Sequence, residues 1–147
     1  MMKFFLVLIL FGCFVLTSIC VYLYYLYRYK LFSDLVYISK YLKNNISFNK
    51  DDINTILSKS FENINQSSKF IIKNYKRFLS KSDKKIVSDF FQSLGRGDVA
   101  FEINNLTYFE NNFMDLENKT KENLSKNGVM YFKLIIGVGL IVCVLLI

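Results

Sequence analysis

The sequence predicts an all-α protein: an antiparallel helical bundle between an N-terminal and a C-terminal transmembrane helix. Three observations carry that expectation. Proline is absent, so long helices meet no obligatory break. Apolar residues in the middle of the chain recur at helical intervals, and no useful length alternates as a half-buried strand would. The hydrophobic content of 52% is high for a soluble chain, and the excess sits at the two ends. A length of 147 residues suits one domain plus anchors. The expected division is a first anchor at 1–28, a helical domain at 29–128 and a second anchor at 129–147.

The first anchor runs from Phe4 to Tyr27 without a charge. At about 1.5 Å per helical residue it spans a hydrocarbon core. Tyr22, Tyr24, Tyr25, Tyr27 and Tyr29 crowd its second half and mark an interface. A cleaved signal peptide would have a shorter apolar region and a small-residue cleavage site. Leu10-Phe11-Gly12-Cys13 is similar to a lipoprotein cleavage box, but the apolar run continues well past Cys13. Cys13, Cys20 and Cys143 all lie in the apolar ends; they form neither a zinc spacing nor a disulfide frame.

Leu31, Leu35, Ile38 and Leu42 continue a helix out of the first anchor, with an expected end at Asn44-Asn45. Asn49 is placed to cap a second helix, with Asp51 and Asp52 in its first turn, where negative charge suits the helix dipole. Ile53, Leu57, Phe61 and Ile64 form its expected buried side. A third helix is expected near 67–79, with Phe70, Ile71, Tyr75 and Phe78 clustered. Ser82 is expected to cap a fourth, with Ile86, Val87, Phe90, Phe91 and Leu94 inward.

The punctuation that follows is the sharpest in the chain. In Leu94-Gly95-Arg96-Gly97-Asp98, Gly95 can take the left-handed conformation that ends a helix, and Asp98 can accept backbone N–H bonds and begin the next. Gly95, Gly97 and Asp98 are therefore read as a structural turn. Val99, Ile103, Leu106, Phe109, Phe113, Leu116 and Thr120 then form one helical stripe. After Asn127-Gly128 the chain is apolar apart from Lys133. Gly137 and Gly139 leave little side chain and are candidate helix-packing positions within the membrane.

Several kinds of chemistry are excluded. Without histidine there is no imidazole base or ligand, and no Ser/His/Asp or Cys/His set. Gly95-Arg96-Gly97 lies between helices and not after a strand, so it is not a phosphate loop. Asp51 and Asp52 at a helix start are simplest as dipole partners. No catalytic, metal, cofactor or small-molecule site is expected. One cluster stands out: Lys69, Lys73, Lys76, Arg77, Lys81, Lys84 and Lys85, with Asp83 alone among them. It is either a solvated face or a partner-binding surface for anionic headgroups or an acidic protein. No nucleic-acid recognition motif accompanies it. Arg28, Lys30, Lys40 and Lys43 follow the first anchor, and Lys119, Lys121, Lys126 and Lys133 precede or enter the second. The positive-inside rule then places the helical domain in the cytoplasm.

The whole pattern resembles the stage III sporulation protein AB family of endospore-forming bacteria. Leu94-Gly95-Arg96-Gly97-Asp98 looks like that family's Leu-Gly-x-x-Asp turn. The long helix into Asn127-Gly128-Val129-Met130-Tyr131, and the closing Gly137-Val138-Gly139-Leu140 run to Ile147, look like its terminal anchor. The family often carries glutamine four residues after the aspartate, where this chain has Glu102. Its Thr-Pro-Leu turn is replaced by Ile46-Ser47-Phe48. The resemblance implies a non-enzymatic scaffold, its soluble domain similar to the inner-membrane platform protein F of type II secretion systems. It implies a channel-like apparatus between mother cell and forespore, with other channel proteins, a cytoplasmic ATPase (stage III sporulation protein AA) and membrane lipids as partners. Two other readings stand beside it. A holin-like pore former would need a polar stripe in an anchor, and the anchors offer only Thr17, Ser18, tyrosines and Lys133. An unrelated membrane-tethered helical adaptor is set apart only by the turn and the terminal anchor.

Overall fold

A computed structural model describes residues 2–48, 53–74 and 79–146. Every described element is helical. Helix α1 is Met2–Phe48, α2 is Ile53–Glu62, α3 is Gln66–Lys73, α4 is Lys81–Ser93 and α5 is Val99–Asn123. A π-helical turn, Leu124–Gly128, joins α5 without a break to α6, Val129–Leu146. The protein is thus all-α. Phe5–Ile46 and Val99–Leu146 are each long and apolar enough to cross a membrane.

Compactness divides the chain into two units. The first holds Met1–Tyr29 and Lys119–Ile147. Here the N-terminal part of α1 pairs with the π turn and α6, and the order of contacts is antiparallel. Cys143 Sγ lies 3.9 Å from the Val7 carbonyl, Phe14 lies over Gly139, Tyr22 meets Phe132 edge-on at 6.0 Å, and Tyr25 faces Gly128. Small residues at such a seam let helices approach, because lipid supplies no hydrophobic drive between them. Thr17 returns its hydroxyl to the Cys13 and Phe14 carbonyls at 3.0 and 2.9 Å, so its polarity is absorbed by its own helix.

The second unit is Lys30–Asn118. Its core takes Leu31, Phe32, Leu35, Ile38 and Leu42 from α1, Ile56 from α2, Val87 and Phe90 from α4, and Leu106 and Phe113 from α5. Phe90 stands edge-on to Phe109 and Phe113, at 5.4 and 5.2 Å between centroids, the arrangement that aligns positive ring edge with negative ring face. Lys43 and Glu110 form a part-buried ion pair between α1 and α5. Asn65 donates to Asp34 at 3.1 Å, tying the start of α3 to α1.

The structure corrects the sequence reading in several places. Helix α1 does not end at Asn44-Asn45 but reaches Phe48. Asn45 donates its side-chain amide to the Tyr41 carbonyl at 2.8 Å instead of competing for its own turn, and Ile46 packs on the core. The cap of α4 is Ser80, not Ser82: its hydroxyl accepts the Asp83 N–H at 3.3 Å. Helix α3 stops at Lys73, where Asn74 leaves helical geometry and donates to the Phe70 carbonyl at 3.0 Å. Phe70 is 59% exposed, and the buried residues of that helix are Ser68 and Ile72. Val99 is also exposed, and the inward stripe of α5 instead includes Glu102 and Glu110. Asn49, Asp51, Asp52, Tyr75 and Phe78 lie outside the described residues.

Candidate functional site

The turn between α4 and α5 is built from its backbone. Leu94 closes α4 in an extended conformation. Gly95 follows with φ of +74°, where any side chain would be strained, and faces Ile53 across a gap a Cβ would fill. Asp98 Oδ1 accepts the Phe101 N–H at 2.8 Å, and the Asp98 carbonyl takes the first helical bond of α5, from Glu102, at 2.9 Å. A Cβ on Gly97 would run into the Phe101 ring.

Glu102 completes this turn, and the sequence reading gave it no role there. Its Oε1 accepts the main-chain N–H groups of Arg96 at 2.9 Å and Gly97 at 3.2 Å. These are main-chain donors of the connecting turn, which would otherwise need water or another acceptor. The side chain is 1% exposed, and its second oxygen has no hydrogen-bond partner among the described residues. The signal was available: Glu102, Leu106, Phe109 and Phe113 fall at steps of four, three and four, one face of a helix. A carboxylate in that register reads as an interruption until the turn it serves is seen.

The basic cluster divides. Lys69 and Lys73 lie one helical turn apart on α3; Lys81, Lys84 and Lys85 occupy the first two turns of α4; Lys76 and Arg77 lie outside the described residues. Lys73, Lys81 and Lys85 are exposed, and Lys69 and Lys84 half-buried. Lys69 donates to the Glu62 carbonyl at 3.3 Å. Asp83, the lone acid in this run, is 2% exposed. Asp83, Glu102 and Glu110 are all withdrawn into the unit, Glu110 together with Lys43.

The two membrane glycines also separate. A Cβ on Gly139 would sit 2.9 Å from Phe14 Cβ and Cγ, whereas one on Gly137 would meet nothing within 4 Å among the described residues. Gly128, read from sequence only as the boundary of the second anchor, is buried against Tyr25. Among the described residues no group of histidine, cysteine, aspartate and glutamate is placed to hold a metal ion.

Among curated proteins and among solved structures, none matches the chain. The family model for stage III sporulation protein AB matches residues 69–147, more than half of the chain. That span takes in the lysines of α4, the Gly95–Glu102 turn, the whole of α5 and the second apolar helix. With two long apolar helices and an α4–α5 turn held by Gly95, Asp98 and Glu102, the chain belongs to the stage III sporulation protein AB family.

Proposed function

We propose that this protein is a non-enzymatic membrane scaffold of the apparatus that joins mother cell and forespore. Segments 1–28 and 129–147 anchor it in the mother-cell membrane. The segment 29–128 lies in the cytoplasm and serves as the docking platform for the apparatus's ATPase. The observation that carries this reading is the family match over 69–147. It runs without interruption from the bundle into an apolar helix suited to a bilayer. Lysines and Arg28 flanking the apolar helices support the cytoplasmic placement.

Two measurements test it. With Cys13, Cys20 and Cys143 replaced, a cysteine at Lys59, an exposed site on α2, should resist an impermeant thiol reagent in intact cells and react after lysis. Ready labelling of intact cells would put the domain outside and sink the platform. In detergent micelles, the full-length protein should bind the purified ATPase saturably; absence of binding would overturn the docking role.

A further inference from the structure

Lys81 and Lys84 lie in the first turn of α4, at the positive end of its helix dipole, where cations weaken a helix, and Lys85 follows in the second turn. The one acid that suits this end, Asp83, is turned inward at 2% exposure. Lys81 and Lys84 thus oppose the helix start, which Asp83 favours in part from the same turn, and Lys81 and Lys85 project to solvent. One turn beyond Lys85, on the same face, Asp89 is exposed as well. A sheet of anionic headgroups would repel Asp89, whereas a polypeptide can place a basic side chain opposite it and acids opposite the lysines.

We propose that this face of α4, with Lys81, Lys84, Lys85 and Asp89, receives an acidic segment of a partner protein. The proposal rests on the docking reading above and assigns it a surface. The test uses the full-length protein in detergent micelles, with the purified ATPase as probe. The triple variant Lys81→Gln, Lys84→Gln, Lys85→Gln should melt higher than the native chain. It should bind the ATPase about tenfold more weakly or worse. Native binding should weaken with added salt, and the triple arginine variant should keep it. Native protein that binds the ATPase no better than the glutamine variant does would overturn the proposal while leaving the docking reading intact. Native protein that does not bind at all overturns both. A glutamine variant that melts lower would refute the dipole reasoning. One that keeps the ATPase but loses phosphatidylglycerol vesicles would assign the face to lipid and reject an acidic protein.

Discussion

Glu102 holds the main-chain N–H of Arg96 at 2.9 Å from Oε1, reaching back across six residues from the first turn of α5. That bond, with the parallel one from Gly97, fixes the exit from α4 and therefore the direction in which α5 starts. The other oxygen remains buried without a described partner, which makes a neutral isostere the more economical residue. Glu102→Gln should keep the turn, with a melting temperature unchanged or raised. Glu102→Ala should cost about 1–3 kcal/mol by stranding two amides. Thermal unfolding of both variants checks this, and equal losses would mean that Oε1 does not hold the turn.

Gly95→Val should cost about 1 kcal/mol or more, because φ of +74° forces its Cβ against the following carbonyl. Asp98→Ala should cost roughly 0.5–2 kcal/mol through the lost bond to the Phe101 N–H. A normal melting curve together with failed spore formation would shift these residues from structure to partner contact.

Lys43 and Glu110 pair in a part-buried position between α1 and α5. Removing one charge leaves the other poorly solvated, so Lys43→Met or Glu110→Gln should each lose about 1–3 kcal/mol. The double variant should recover part of that loss. A double-mutant cycle measures the recovery, and strict additivity would show the pair to be uncoupled.

Gly139→Leu should disrupt the pairing of α1 with α6, since even a Cβ would lie 2.9 Å from Phe14; overpacking of this kind costs about 1–3 kcal/mol. Gly137→Leu should leave the chain's own stability unchanged, because its position is open. Disulfide formation between cysteines placed at Tyr22 and Phe132, whose rings meet at 6.0 Å, reports on the pairing. If Gly137→Leu nonetheless weakens assembly with partners, a helix of another molecule must approach there. An intact crosslink in Gly139→Leu would contradict the close approach of Phe14.

What the sequence determined by itself was whatever depends on local geometry and on composition along the chain. The absence of proline and the apolar ends set the helical class and the two long helices. Gly95 was legible because few residues enter left-handed backbone, and Asp98 because its side chain caps only its own helix. Tertiary structure decided what depends on which neighbours fill a given space. It turned Phe70 and Val99 outward and Glu102 and Glu110 inward, since a buried acid becomes acceptable only where Arg96, Gly97 or Lys43 supplies its hydrogen bonds. It chose Ser80 over Ser82 as cap, a contest between two similar residues that only the start of α4 could settle. It separated Gly139 from Gly137, alike in sequence, because one faces Phe14 and the other meets nothing within 4 Å among the described residues.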